Sequence, residues 1–189
     1  MRIDLHLHST ASDGTLSPSA LVWAARAGGL HVIAVTDHDT STGIADAQAA
    51  APGAVHVISG IEVSSSLEGS EVHVLGYFVD AQHPALVTYS AEAASYRRER
   101  MRRMIGRLDA IGITIAYDEV LAAAGREPES LGRPHLARAL VQRGYVQNHA
   151  EAFDRYIGND APAFLPAQLL DPQAAIALIH DAGGVAVWA

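Results

Sequence analysis

Polar and apolar residues alternate from the start of the chain. Ile3, Leu5 and Leu7 fall on one face of an extended segment, and Asp4, His6 and His8 on the other. That period of two predicts a strand over residues 2–7. Ser17-Pro18 then predicts a helix start, with serine as N-cap and proline at the first helical position. The helix carries Leu21, Val22 and Ala25 and stops at Gly28-Gly29. Val32-Ile33-Ala34-Val35 is an unbroken apolar run, the pattern of a strand buried on both faces. A second helix is expected from Ser41 or Thr42 to about Pro52-Gly53, then strands over Val55–Val63 and Glu71–Val79. The order β-α-β-α-β-β is that of a mainly parallel sheet or barrel. Residues 84–163 read differently, with helices over Ala91–Leu108 and Pro134–Gly144. Afterwards Asp171 caps a helix over Pro172–Ala182, Gly183-Gly184 ends it, and Val185–Trp188 is a strand. The pattern divides the chain into an α/β core, residues 1–83 and 164–189, and a helical insertion, residues 84–163.

Chemistry-bearing side chains gather where the predicted strands end. His6 and His8, two apart on a strand, point the same way and can reach one cation, with Asp13 in the following turn. Imidazole suits zinc, iron or manganese. Thr36-Asp37-His38-Asp39-Thr40 follows a buried strand, the position of the catalytic rim in βα barrels. Alone it could simply cap the next helix; after the first motif it makes His38 a ligand candidate. Glu62, at another strand end, can bridge two cations through its two oxygens. His73 lies in an apolar strand, where a lone histidine is usually a satisfied core residue. It is a ligand candidate because three other strand ends supply ligands. His31, His56, His83, His149 and His180 match no motif and are read as structural.

The segments Asp4-Leu5-His6-Leu7-His8-Ser9, Ser12-Asp13-Gly14, Thr36-Asp37-His38-Asp39-Thr40, Gly60-Ile61-Glu62 and His73-Val74-Leu75-Gly76-Tyr77 together resemble the PHP (polymerase and histidinol phosphatase) family, in order over the first 80 residues. Gly132-Arg133-Pro134-His135-Leu136-Ala137 resembles the branch of nucleotide phosphatases and 5′→3′ exoribonucleases. The resemblance implies a distorted (β/α)7 barrel holding two or three divalent cations, manganese, iron or zinc. It implies one cation on His6, His8 and Glu62, a second on Glu62 and His73 with Glu62 bridging, and a third on Asp13 and His38. Asp37 and Asp39 become catalytic candidates through orienting the ligands. Arg133 and His135, flanking a proline at a helix start, are assigned to substrate phosphate. The implied reaction is hydrolysis of a phosphate ester of a nucleotide or short RNA end by a water that the cations activate. Two alternatives stand beside it: a phosphatase on a small metabolite such as histidinol phosphate, and a catalytically inactive PHP module serving as an interaction domain. The family continues after a strand like Gly184–Trp188 with His-Pro and later Asp-x-His, whereas this chain ends at Ala189. The resemblance therefore implies a barrel incomplete at its C-terminus and each cation short of one ligand, from truncation or from completion by a partner.

Composition narrows the substrate and the setting. The net charge of −8 argues against a long basic duplex groove and toward a phosphorylated small molecule or short RNA. All 13 basic residues are arginine, and Arg97, Arg98, Arg100, Arg102, Arg103 and Arg107 crowd one helix, where a solvated face is expected. The absence of cysteine excludes disulfides and cysteine-based zinc sites and fits a reducing compartment. No signal peptide pattern and no membrane-spanning run is read, so a cytoplasmic location is expected.

Overall fold

A computed structural model of the chain describes residues 1–50, 53, 55–125 and 128–189. Its five strands, β1 (Ile3–Leu7), β2 (Val32–Val35), β3 (His56–Leu67), β4 (Ser70–Tyr77) and β5 (Val185–Trp188), form one mixed sheet in sequence order. The pairs β1–β2 and β2–β3 are parallel; β3–β4 and β4–β5 are antiparallel. The helices are α1 (Pro18–Ala27), α2 (Gly43–Ala50), α3 (Pro84–Asp109), α4 (Tyr117–Ala123), α5 (Arg133–Gln142), α6 (His149–Ala152) and α7 (Pro172–Asp181). A π-helical turn, Phe153–Ile157, continues α6. Seven-stranded closure is not observed, and no pairing joins β1 to β5 among the described residues.

Local chemistry accounts for the element ends. The Ser17 side chain accepts from Ala20 N at 3.2 Å and Asp171 from Ala174 N at 2.8 Å, each satisfying a free donor of a helix that begins with proline. α3 begins at Pro84, seven residues before the expected Ala91, because His83-Pro84 is itself a start with proline at the first position. β3 runs past Val63 to Leu67: Ser64, Ser65 and Ser66 keep their pairing with His73, Val72 and Glu71. Ser64 and Ser65 are buried although polar, because the Ser64–Ser66 stretch lies under α3 and the Leu170 backbone. The expected end of the second helix near Pro52 lies outside the described residues.

Three apolar clusters support these elements. One joins α1, β2 and the start of β3 through Val22, Ile33, Val35 and Val57. A second packs α7 on β3 and β4 through Ile61, Val63, Val74 and Ile179 and takes in Leu86 at the start of α3. The third lies among the helices and includes Met101, Met104 and Leu108 from the end of α3 with Leu136, Leu140 and Ile157. The face of β1 expected to be buried is partly open: Ile3 is 48% and Leu5 38% exposed. No described helix is long and apolar enough to cross a membrane.

The sheet is strongly curled. Strands spaced about 4.8 Å apart would put β1 and β4 about 14 Å from each other if the sheet were flat. Instead the Tyr77 hydroxyl at the end of β4 donates to the Leu5 carbonyl of β1 at 3.0 Å. This curl carries side chains of β1, β2, β3 and β4 into one hollow.

Candidate metal centre

The hollow is built around one carboxylate. Glu62 is 2% exposed, and four imidazoles converge on it. His6 Nε2 is 2.9 Å and His8 Nε2 3.0 Å from Oε2, His38 Nδ1 is 3.4 Å from the same oxygen, and His73 Nδ1 is 2.6 Å from Oε1. The two oxygens therefore face different ligand groups. Asp13 approaches from the other side, 3.2 Å from His8 Nδ1 and 3.8 Å from His38 Nε2. Neighbouring rings along His6, His8, His38 and His73 have centroids 4.5–5.2 Å apart. Each of these side chains stands where its strand delivers it. His6 is within β1, His8 follows β1, His38 follows β2 and makes a parallel bridge with Glu62 of β3, and His73 comes from β4. Gly14 closes the Asp13 turn where a Cβ would meet the His8 carbonyl at 2.3 Å, so that position accepts only glycine without movement.

Three overlapping triads have ligand atoms within 4.8 Å of one another: His6, His8 and Glu62; His38, Glu62 and His73; and His8, Asp13 and His38. Two further observations fit a divalent cation. Among the described residues His38 Nδ1 is buried without a hydrogen-bond partner, and burial lowers the pKa of this imidazole, so it is held neutral with a lone pair available. Four imidazoles packed ring to ring around one carboxylate is a donor set suited to zinc, iron or manganese.

The cluster's charges are tightly coupled. Burial alone would raise the Glu62 carboxyl, but hydrogen bonds from His73 and His8 outweigh it and hold it far below the usual carboxylate range. Burial would lower His8, yet its hydrogen bonds to Asp13 and Glu62 prevail and raise it to about 10. Glu62, followed by Glu71, raises His73 to about 9. Against its burial, the hydrogen bond to His8 and the His8 charge keep Asp13 ionised well below its ordinary range.

The two aspartates flanking His38 act on backbone and loop. Asp37 is buried and accepts from Ser9 N at 2.7 Å, Ser9 Oγ at 2.6 Å and Ser12 Oγ at 2.6 Å, fixing the loop that carries Asp13. Asp39, in a left-handed backbone conformation (φ 53°), accepts from Ser64 N at 2.7 Å, Arg97 Nε at 2.8 Å and the Tyr89 hydroxyl. Among the described residues neither carboxylate accepts a hydrogen bond from a cluster histidine, so their orienting role is indirect.

Arg133 and His135 are brought to the same region but do different things. Arg133 lies over Phe153 and Phe164, 5.5 and 5.4 Å from their ring centroids, and donates to Asn159 Oδ1 at 3.1 Å and Glu71 Oε2 at 3.3 Å. Glu71 Oε1 is in turn 3.5 Å from His73 Nε2. His135 is 1% exposed, and its Nδ1 accepts from Gly132 N at 3.0 Å, so the ring closes the start of α5. Burial lowers its pKa and keeps it neutral.

The arginine-rich helix departs only in part from the expected solvated face: Arg102, Arg103 and Arg107 are exposed, whereas Arg97 and Arg100 turn inward. Arg97 is engaged with Asp39, Ser64 and the Leu131 carbonyl. Arg100 is buried and donates to the Leu165 carbonyl at 2.6 and 2.9 Å, Arg107 donates to the Phe164 carbonyl, and Arg102 stacks on Tyr117. Sequence reasoning missed Arg97, Tyr89, Arg100 and Glu71. Tyr89, Ala93, Tyr96, Arg97 and Arg100 share one helical face, a spacing that marks an inward stripe. Glu71 shares a strand face with His73, two residues on.

A curled α/β sheet presenting histidines and a buried carboxylate at its strand ends is the donor arrangement that a hydrolytic metal centre calls for. The chain belongs to the PHP domain family, whose model matches residues 4–157. It is 42% identical over 189 residues to a 5′-3′ exoribonuclease of Haemophilus influenzae, covering 100% of this chain and 68% of that protein. It is 36% identical over 188 residues to a 3′,5′-nucleoside bisphosphate phosphatase of Chromobacterium violaceum, covering 99% and 66%. A solved structure from Bifidobacterium adolescentis, of a protein inferred to be a metal-dependent phosphoesterase, superposes with a TM-score of 0.92 at 32% identity over 99% of this chain and 66% of that one. The chain thus spans about two thirds of the length of these relatives.

Proposed function

We propose that this protein is a divalent-metal-dependent phosphoesterase acting on nucleotides or short RNA ends. The observation that carries the reading is the convergence of four histidines on the two oxygens of one buried glutamate. His6, His8 and Glu62 would hold one cation, Glu62 with His73 and His38 a second, and Asp13, His38 and His8 a third. The number is two or three, and manganese, iron or zinc all suit the donors. Such cations supply activation of a water and neutralisation of phosphoryl charge.

The chain's own residues do the rest. Glu62 spaces the ligands through its two oxygens. Asp37 fixes the Ser9–Ser12 loop and so the reach of Asp13, and Asp39 anchors the backbone beside His38 to β3 and α3. Arg133, held between two phenyl rings, offers a guanidinium to substrate phosphate. His135 contributes by closing the start of α5, the turn that presents Arg133. The five strands are read as part of a distorted (β/α)7 barrel, in keeping with the curl of the sheet and the exposed apolar residues on both edge strands, Leu5 on β1 and Trp188 on β5. The names of the relatives favour RNA or nucleoside bisphosphates as substrate class.

The test is phosphate release from a panel of nucleotides and short 5′-phosphorylated RNAs with added manganese, alongside metal content. Glu62→Gln should lower turnover by roughly a thousandfold or more while the fold persists, since one charge serves two ligand groups. Undiminished turnover in Glu62→Gln would refute the bridging role, and no hydrolysis of any phosphate ester by the metal-loaded protein would refute the reading.

A further inference from the structure

Arg133 can serve substrate phosphate only if the start of α5 stands at a fixed distance from the histidine cluster. One set of contacts that fixes this distance centres on Arg97, in the middle of α3. Its side chain is mostly buried and reaches in two directions. Nε donates to Asp39 Oδ2 at 2.8 Å and Nη2 to Ser64 Oγ at 2.9 Å, which fastens one edge of the guanidinium to the turn after β2 and to β3. Nη1, the remaining nitrogen, donates to the Leu131 carbonyl at 3.4 Å.

Both ends of this bridge lead to the chemistry. Asp39 adjoins His38, and its own N donates to the Glu62 carbonyl at 2.9 Å, so the turn is bonded to the strand that carries the glutamate. Leu131 stands two residues before Arg133. Gly132, between them, packs so near Arg97 that a Cβ there would lie 3.7 Å from Nη1. A lysine could not make the same bridge. Its ammonium can meet Asp39, but it lacks the planar fork that reaches Asp39 and Leu131 together.

The surroundings of Arg133 are held by the same helix. Arg100 and Arg107 donate to the Leu165 and Phe164 carbonyls, and Phe164 is one of the two rings over which the Arg133 guanidinium lies. A separate tie joins Ser130 N to the Ala11 carbonyl at 3.0 Å, in the loop that carries Asp13. That tie runs from backbone to backbone, so an exchange of the Arg97 side chain leaves it in place. Such fixing matters because a misplacement of about 1 Å can cost roughly a hundredfold in rate.

We propose that Arg97 is a positioning residue for phosphate: it ties the His38–Asp39 turn to the segment leading into Arg133, and so sets the span between the cluster and the guanidinium that receives the phosphate. The proposal rests on the phosphoesterase reading and adds a residue of α3 through which the helical segment takes part in substrate recognition.

The experiment is a double-mutant cycle of Arg97→Lys and Arg133→Ala in buffer containing manganese. It reads kcat/KM on the fastest ester of the nucleotide and RNA panel, and the Kd of inorganic phosphate by calorimetry. Arg133→Ala alone should weaken both about tenfold or more. Arg97→Lys alone should weaken both about fivefold, but less than about twofold when Arg133 is already alanine, because the group it positions is then gone. Manganese affinity should change less than about twofold in Arg97→Lys, since the charge beside Asp39 is kept. Equal losses in both backgrounds would overturn the proposal, as would no loss in either, or a loss matched by weaker manganese binding. If Arg97→Lys does not fold, Asp39→Asn supplies the same cycle: it tolerates the left-handed backbone (φ 53°) and removes the charge that holds the guanidinium. A wild-type protein that hydrolyses none of the panel would sink the phosphoesterase reading, while the phosphate titrations would still decide whether Arg97 acts through Arg133. A wild-type protein that binds no phosphate would overturn the proposal itself.

Discussion

At the scale of single residues, the ion pair between Asp39 and Arg97 sets the connection between α3 and the strands that carry the histidine cluster. Asp39 is 3% exposed, and Ser64 N and the Tyr89 hydroxyl occupy its remaining acceptor positions. Burial opposes ionisation of Asp39, but the Arg97 charge and these donors prevail and hold the carboxylate below its usual range. Replacing Arg97 by methionine would keep most of the stem's packing and leave a buried carboxylate without its cation. The expected loss is about 3–5 kcal/mol, read as a lower urea midpoint at unchanged slope. A loss below about 1 kcal/mol would mean that water replaces the guanidinium. The residues of the histidine–carboxylate cluster were legible in the sequence because they sit at strand ends with the right side-chain period. His6 and His8 needed only the alternation of a strand, and the Asp-His-Asp turn only its place after a buried one. Arg97 and Tyr89 were not legible because their partner lies 58 and 50 residues away, and no local pattern records such a pairing.

At the scale of elements, punctuation was read well and extents less so. Ser17-Pro18 and Asp171-Pro172 carry a side-chain acceptor and a preset φ at consecutive positions, so α1 and α7 begin where those residues say. The cap of α7 has a measurable share in stability, because the helix lays Ala175 and Ile179 onto β3 and β4. Asp171→Ala should cost about 1 kcal/mol, seen by denaturant titration, while Asp171→Ser should cost only a fraction of that. Equal losses in both variants would show that charge rather than capping is at issue. The overrun of β3 through Ser64–Ser66 was hidden by composition, since serines neither alternate in polarity nor favour strands. Their burial comes from α3 and Leu170, which are remote in sequence. The π-helical turn likewise leaves no signature that a helix period would catch.

At the scale of the whole molecule, the curl of the sheet was the least legible feature, because it depends on how every strand twists against its neighbours rather than on any one segment. It is also what makes the hollow, and a cation bound in the hollow would be coupled to protons. In the metal-free protein His8, raised to about 10, and His73, raised to about 9, carry protons at neutral pH. Their contribution to stability is full below the ordinary histidine value of 6.5 and is lost as the pH rises through about 9 and 10. A cation needs the neutral imidazole, so loading must expel these protons, and affinity should weaken as the pH falls. Calorimetric titration of manganese or zinc at pH 7.5 in buffers of different ionisation enthalpy should show about one to two protons released; the absence of any buffer dependence would contradict this. The long helix α3 has a different kind of consequence. It starts under the sheet at Leu86, passes the hollow at Arg97 and ends among the helices at Leu108, a rod of 26 residues. Residues 84–163 are therefore a poor cassette for exchange between homologues. A graft cut at residue 84 would carry off part of the sheet's cover and the cation that neutralises Asp39, so the workable crossover points lie beyond the end of α3.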